Sequence, residues 1–202
     1  MPTCDGAWML FEAVGIPGAA VIRIERKSDP RGFFARTFCV DEFGAGGLPR
    51  EFVQASISYN ERRGTVRGMH LQLPPSREGK LVRCLRGLLF DVLLDLRPQS
   101  PTYLQHRSVM LDEESRDAVF IPAGVAHGFQ TLADRTEVLY QMTDFHSPDL
   151  ADGWRWNDAA FAIPWPVRDD IVISDRDAQW PDFDQARFEA GISVRSPAAG
   201  AP

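Results

Sequence analysis

The sequence predicts an all-β domain of the sandwich or barrel type. Short apolar alternations recur along the chain at a spacing of about eight to twelve residues, which is typical of antiparallel β domains. Residues that favour turns, mainly Gly, Pro and Asp, separate these segments. Helix signals are few and short. The length of 202 residues suits one such domain with short extensions.

Each predicted strand is an apolar or alternating segment between turn residues. In chain order the strands are Val21–Glu25, Phe33–Val40, Phe52–Asn60, Val66–Gln72, Lys80–Leu85, Leu88–Leu96, Tyr103–Leu111, Ala118–Ile121, Phe129–Leu132 and Glu137–Asp144. The run Gly87–Leu96 is apolar except for Asp91 and Asp95, as in a strand buried on both faces. Its Val and Phe content favours a strand over a buried helix.

Two short helices flank the strands in the prediction. Residues Asp41–Gly44 form one turn, and Asp182–Ala190 follows Pro181 and ends before Gly191. We find no repeat and no linker, so residues 1–202 are predicted to be a single domain. Residues 196–202 consist mostly of Pro, Ala and Gly and are predicted to be a disordered tail.

The composition argues against nucleic acid and membrane as partners and indicates the cellular compartment. Hydrophobic residues make up 44% and charged residues 25%, as in ordinary globular proteins. The net charge of −6 and pI of about 5.2 argue against binding nucleic acid. No apolar run is long enough for a membrane span, and no segment resembles a signal peptide. Three cysteines without metal spacing indicate a reducing compartment, so we expect a cytoplasmic protein.

The motif R-G-M-H, Arg67 to His70, precedes Lys80 by ten residues on an adjacent predicted strand. Histidine can take and return a proton near neutral pH. Lysine supplies a compact positive charge that can stabilise an oxyanion. Together they suit proton abstraction beside a carbonyl group. A histidine that only forms a hydrogen bond in the core is the alternative that these two residues leave open.

A second motif, I-P-A-G-V-A-H-G-F, delivers His127 from a turn onto a strand. Its P-x-G-x-x-H pattern resembles the second motif of cupins. Metal-binding cupins carry H-x-H and then Glu in their first motif, whereas this chain has His70-Leu71-Gln72 and then Glu78. Gln72 in place of the second His favours a cupin without metal, although two His and one Glu could still bind an ion.

More motifs follow in one order: V-R-G-M-H, G-K-L-V-R, F-D-V-L-L-D-L-R with S-P-T-Y, I-P-A-G-V-A-H-G-F, V-L-Y-Q-M-T-D-F, W-N-D and I-S-D-R-D. The chain thereby resembles the dTDP-4-dehydrorhamnose 3,5-epimerase family over roughly Val21 to Phe183. The resemblance implies a cupin-type double-stranded β-helix (jelly roll) with short flanking helices. It also implies a homodimer that needs no metal or other cofactor and acts on nucleotide-linked 4-keto-6-deoxy sugars. The resemblance rests on many motifs in the same order, which are more specific together than any one motif alone.

The resemblance also implies roles for single residues. His70 corresponds to the catalytic base, Asp177 to its carboxylate partner, Tyr140 to the acid on the opposite sugar face and Lys80 to the cation near the C4 oxygen. The residues that correspond to substrate-binding positions are Arg31, Gln54, Arg67, His127 and His146. Asp91 is predicted to be either a partner of His70 or a buried group bonded to backbone.

Three positions depart from the family pattern. His146 replaces a Tyr, Ser56 replaces an Asn, and Arg36 stands where some members have Glu. An epimerase that inverts only C3 or only C5, or one that uses another nucleotide or sugar, is therefore an alternative. Two further alternatives are a metal-dependent cupin oxygenase or isomerase and a cupin that binds sugar without catalysis.

Overall fold

The computed structural model describes residues 8–195 and confirms the all-β prediction, because strands dominate and the helices are short. The strands are β1 Met9–Ala13, β2 Ala20–Ile24, β3 Arg26–Asp29, β4 Gly32–Ala35, β5 Gln54–Asn60, β6 Val66–Gln72, β7 Lys80–Arg86, β8 Leu88–Asp95, β9 His106–Asp112, β10 Ala118–Ile121, β11 Val125–Thr131, β12 Thr136–Met142 and β13 Ala151–Gly153. The helices are α1 Val40–Ala45, α2 Asp175–Ala178 and α3 Gln185–Arg195.

Two antiparallel sheets form the body of the domain. The six-stranded sheet has the order β1-β2-β10-β7-β12-β5, and the five-stranded sheet has the order β13-β6-β11-β8-β9. Their inner faces share one apolar core, in which Val82 and Val138 of the first sheet meet Leu89, Leu93 and Phe129 of the second. Burying these side chains between two sheets is the main driving force for this arrangement.

The outer faces of both sheets are covered as well. Strand β8 is buried on both faces as predicted, since Val92 and Leu94 point away from the inner core and pack with Trp154 and Phe188 of the C-terminal segment. On the six-stranded sheet, Phe43 of α1 packs in a cluster of N-terminal and β10 side chains. Each sheet is thus held between the central core and one end of the chain.

The predicted strands Val66–Gln72 and Ala118–Ile121 are confirmed to the residue. The prediction Phe33–Val40 is wrong beyond Ala35, because Phe38 leaves the sheet and packs on Phe43 with ring centroids 4.8 Å apart. The predicted C-terminal helix is wrong at both ends, because α3 begins at Gln185 rather than Asp182 and continues through Gly191 to Arg195. The predicted tail 196–202 lies outside the described residues. Between residues 8 and 195, no helix has the length and apolar character needed to cross a membrane.

Candidate active site

A polar cleft lies between the two sheets at one end of the core. It consists of two adjoining cavities of about 530 and 470 Å³. The side chains that line both cavities are Ser56, Arg67, His70, Lys80, Tyr140 and His146. Five of the predicted site residues, all of these except Ser56, therefore stand at the centre of the cleft, where the cavities meet.

Strand alternation explains why these polar groups share one face. On the six-stranded sheet, Met142 is the register partner of both Gln54 and Lys80, and Tyr140 is the partner of Ser56. Directly opposed residues of antiparallel strands point to the same side, and so do residues two apart along a strand. Lys80 and Tyr140 are therefore diagonal neighbours that project from one sheet into the cleft.

The five-stranded sheet faces them with two histidines. His70 of β6 and His127 of β11 are register partners, so their side chains lie next to each other on the same face. The two strands approach closely at Gly68 and Gly128: a Cβ added to Gly68 would lie 2.5 Å from the Gly128 Cα. Gly68 also has a φ of +127°, which favours glycine. The R-G-M-H motif thus needs its glycine for backbone reasons.

His70 forms a close pair with Asp177. The distance from His70 Nε2 to Asp177 Oδ1 is 2.7 Å. The Gly68 N–H donates to the other carboxylate oxygen at 3.2 Å, and the Trp180 indole N–H donates to Oδ1 at 3.3 Å. Since an ionised carboxylate only accepts, His70 Nε2 carries the proton and Nδ1 is the nitrogen left for a substrate. The predicted partnership of these two residues is present in the structure.

The placement of Asp177 is set locally by α2. Ser174 caps this helix, and its hydroxyl oxygen accepts a hydrogen bond from the Asp177 backbone N–H at 3.1 Å. Burial alone would raise the pKa of Asp177, but the hydrogen bond and charge of His70 outweigh that effect, helped by the Gly68 and Trp180 donors. The pKa of Asp177 therefore lies below its ordinary value, and the carboxylate is ionised at neutral pH.

A second His–Asp pair lies deeper in the cleft. His127 Nε2 is 2.8 Å from Asp91 Oδ2, and both side chains are buried. Asp91 Oδ1 has no hydrogen-bond partner among the described residues. The prediction that Asp91 serves His70 or bonds to backbone is therefore wrong: Asp91 faces Phe129 across the β8–β11 ladder, which directs it to the neighbouring His127.

Tyr140 projects toward these histidines from the opposite sheet. Its ring centroid lies 6.2 Å from that of His127, and its hydroxyl is 3.4 Å from the Ser58 hydroxyl. Burial raises the pKa of Tyr140 above its ordinary value, and the negative charge of Asp91 raises it further against the opposing Ser58 hydrogen bond. The phenol therefore keeps its proton at neutral pH and can act as a donor.

The predicted binding residues divide into two groups. Gln54, Arg67, His127 and His146 all line the cleft. Arg31 does not: it lies on the β3–β4 hairpin, 89% of its side chain is exposed, and its guanidinium is bonded to Asp29 in the same turn. Asp29 offers a partner two residues away, so the hairpin satisfies Arg31 locally. A substrate contact by Arg31 stays a prediction.

Sequence reasoning missed other residues of the cleft. Asp152 of β13, Ser174 and Arg176 line the larger cavity. A three-residue strand leaves no recognisable pattern, which explains why Asp152 was missed. Arg176 had a usable signal, because it stands directly before Asp177 in I-S-D-R-D. Its guanidinium lies over the Trp180 ring at 5.4 Å, which holds a cation beside the cleft.

The metal-ligand pattern has no counterpart in the described residues, where no three His, Cys, Asp or Glu side chains are grouped to hold an ion. Each residue that the sequence offered for this purpose has another partner. His70 is bonded to Asp177, His127 to Asp91, and Glu78 to Lys80. These six side chains are thus paired with one another around the cavity.

Comparison with known proteins decides the family. The family model described as dTDP-4-dehydrorhamnose 3,5-epimerase matches residues 13–185. The chain belongs to this family. A dTDP-4-dehydrorhamnose 3,5-epimerase of Methanothermobacter thermautotrophicus is 41% identical over 84% of this chain and 92% of its own. The family's members are isomerases, so this chain is an enzyme of the epimerase type.

Solved structures of relatives share the fold. A 4-keto-6-deoxy sugar epimerase from the novobiocin biosynthetic gene cluster of Streptomyces spheroides has a TM-score of 0.85 at 36% identity, and the match covers 95% of each chain. The dTDP-6-deoxy-D-glucose-3,5-epimerase of Legionella pneumophila, solved in complex with dTDP-4-keto-L-rhamnose, has a TM-score of 0.83 at 30% identity over 96% of this chain and all of its own. The predicted cupin-type jelly roll is thereby confirmed.

Proposed function

We propose that this enzyme inverts C3 and C5 of dTDP-4-dehydro-6-deoxy-D-glucose to give dTDP-4-dehydro-L-rhamnose. One observation carries the proposal. A paired base, His70 with Asp177, projects from one sheet while an acid and a cation, Tyr140 and Lys80, project from the facing sheet into the same cleft. A sugar ring between the sheets would have a base on one face and an acid on the other.

The first half of the reaction is proton removal. The 4-keto group acidifies the protons on C3 and C5, because the carbanion delocalises into an enolate. His70 Nδ1 takes the proton, and ionised Asp177 stabilises the imidazolium that forms. Lys80 stabilises the negative charge that develops on the C4 oxygen, an effect that is usually the largest single contribution to such a reaction.

The second half is protonation from the other face. Tyr140 retains its proton in the resting enzyme because burial raises its pKa, so it can donate to the enolate carbon. Donation from the face opposite His70 inverts the centre. Ser58 contacts the Tyr140 hydroxyl and is connected through Asn60 to Arg67, so the acid belongs to a polar network rather than standing alone.

Binding follows from the charges of the cleft. Arg67 and Arg176 supply guanidinium groups suited to a diphosphate, since each can donate parallel hydrogen bonds to phosphate oxygens. Gln54 and His146 meet at the rim, where the Gln54 amide oxygen accepts the His146 backbone N–H at 3.1 Å. The ligand of the Legionella relative supports a dTDP-linked sugar as the substrate.

We further propose that residues 1–202 form one cupin domain and that the enzyme is a homodimer in the cytoplasm. Exposed aromatic residues on the β3–β4 hairpin, Phe33 and Phe34, support a dimer, because a partner subunit would cover them. Phe38, which follows them in the chain, packs in the N-terminal core and is not part of this exposed pair.

Proton NMR in deuterated water tests the function. Purified enzyme incubated with dTDP-4-dehydro-6-deoxy-D-glucose should incorporate deuterium at C3 and at C5 and produce the L-rhamno product. His70→Ala should abolish incorporation at both carbons, since one base serves both. Incorporation at one carbon alone would identify a single-centre epimerase, and incorporation that persists in the variant would remove His70 from the mechanism.

A further inference from the structure

Glu78 is a carboxylate of the cleft that the proposed mechanism does not use, and it is paired with a residue that the mechanism does use. Glu78 Oε2 lies 3.0 Å from Lys80 Nζ, and the Glu78 side chain is only 6% exposed. Lys80 itself is 17% exposed, and both residues line the larger cavity. The sequence pattern had marked Glu78 only as a possible metal ligand, and its partner in the structure is the cation of the cleft.

The backbone around Glu78 is held firmly. The Gly79 N–H donates to the Thr143 hydroxyl at 2.7 Å, and the Thr143 N–H donates back to the Gly79 carbonyl at 3.0 Å. A Cβ on Gly79 would lie 2.8 Å from the Phe120 ring, so only glycine lets the segment come this close to β10. The Glu78 N–H donates to Ser76, whose hydroxyl donates to Asp144. Glu78 therefore stands on a fixed support.

Lys80 needs such a support more than other cations do. A lysine ammonium sits on a flexible four-carbon stem with three rotatable donors, so an unpaired one samples many positions. The proposed substrate brings a diphosphate into the same cleft, and this anion would attract the ammonium away from the sugar oxygen. An acceptor oxygen at 3.0 Å in a partly buried site fixes the position of Nζ by a hydrogen bond and leaves two N–H donors available.

We propose that Glu78 is a positioning residue that holds the Lys80 ammonium at the C4 oxygen of the sugar. The inference rests on the proposed function for the identity of that oxygen, and on the structure for the ion pair. Glu78 acts through Lys80 and itself takes no part in proton transfer. Its loss should lower the rate of the chemical step and leave substrate binding nearly unchanged.

Two substitutions separate position from charge. Glu78→Ala removes the acceptor, and we expect kcat for epimerisation to fall about 10- to 100-fold while KM changes less than about threefold. Glu78→Gln keeps an oxygen that can accept from Nζ, and kcat should stay within about threefold of the wild type. Melting temperatures show whether either variant has lost its fold. If Glu78→Ala does not fold, Glu78→Gln still keeps the shape of the glutamate side chain.

The chain provides a matched control. Glu25 and Lys27 form the same Glu-x-Lys ion pair on the surface, where both side chains are about half exposed. Glu25→Ala should leave kcat and KM unchanged. The proposal is overturned if Glu78→Ala turns over like the wild type, if its KM rises in parallel with the loss of kcat, or if Glu78→Gln loses as much activity as Glu78→Ala.

A second measurement does not depend on catalysis. Lys27 and Lys80 are the only lysines of the chain, so acetylation by acetic anhydride can be followed at each by mass spectrometry. Glu78→Ala should accelerate labelling of Lys80 about threefold or more relative to Lys27, because the amine loses its carboxylate. Equal labelling of Lys80 in both proteins would overturn the ion pair. If the wild type shows no epimerase activity but Lys80 is labelled faster in Glu78→Ala, the proposed function is refuted while the ion pair stands.

Discussion

Replacement of Asp177 by Asn is a sharp test of the paired base, because it keeps the shape of the side chain and changes one oxygen to NH₂. Three donors converge on this carboxylate. His70 Nε2 and the Trp180 indole N–H contact Oδ1 at 2.7 and 3.3 Å, and the Gly68 N–H contacts Oδ2 at 3.2 Å. An amide offers a single acceptor oxygen, so at least one donor must face the new NH₂ group.

Both orientations of the amide damage the site. If its oxygen stays toward His70, the Gly68 N–H loses its acceptor, which costs about 1–3 kcal/mol of stability, and the imidazolium loses its anion. If the NH₂ group turns toward His70, Nε2 must accept, and the proton moves to Nδ1, the nitrogen that should act as the base. A general base contributes about 10²–10⁴-fold, so we expect kcat to fall by about 10²-fold or more.

Steady-state kinetics and deuterium incorporation measure the effect. The KM of Asp177→Asn should change less than about threefold, because Asp177 contacts His70 and not the substrate. Asp175→Asn is the matched control, since Asp175 lies on the same helix and is exposed. Turnover of Asp177→Asn within about threefold of the wild type would refute the assignment of Asp177 as the partner of the base.

Three further predictions follow from the structure. Tyr140→Phe should retain deuterium exchange, whereas formation of the inverted product should fall about 10²-fold; NMR measures both. If exchange and inversion fall together, Tyr140 is not the acid. Burial opposes ionisation of Asp95, but Arg97, Ser100 and Thr102 lower its pKa to about 2. Compared with about 3.9 in the unfolded chain, this contributes about 2–3 kcal/mol to the free energy of unfolding above pH ~4, which is lost as the pH falls through about 2. Urea titrations at several pH values should show that dependence in the wild type and less of it in Asp95→Asn. Light scattering should give the mass of a dimer, and a monomer mass at micromolar concentration would contradict the proposed assembly.

A strand could be predicted from the sequence where its own pattern of apolar and polar residues identified it. Val66–Gln72 combines cleft residues, Arg67 and His70, with a residue of the outer core, Met69, and the run around Asp91 is apolar on both faces, so each was found with nearly correct bounds. Phe38 misled the prediction because its apolar character serves packing on α1 rather than a sheet. Strand β13 has three residues and was invisible, since its pairing with β6 depends on distant contacts.

The site could be predicted only in part for a similar reason. His70 and Lys80 stood out by residue type and neighbouring glycines, but Asp177 lies in an acidic loop and looked like a solvated charge without the family resemblance. What makes it a partner is a fold that returns the chain across 107 residues to His70. The pairs Asp91–His127 and Glu78–Lys80 are likewise matters of register and side-chain direction, which residue order alone does not determine.

The distance along the chain between His70 and Asp177 also has a consequence for the order of events during synthesis. The two facing sheets are complete once β13 has formed, because the strands of both lie before α2. A growing chain can therefore bury its central core while His70 still lacks its carboxylate. We expect refolding protein to regain its β-sheet signal in circular dichroism before it regains turnover, with the delay set by docking of the segment that carries Ser174, Asp177 and Trp180.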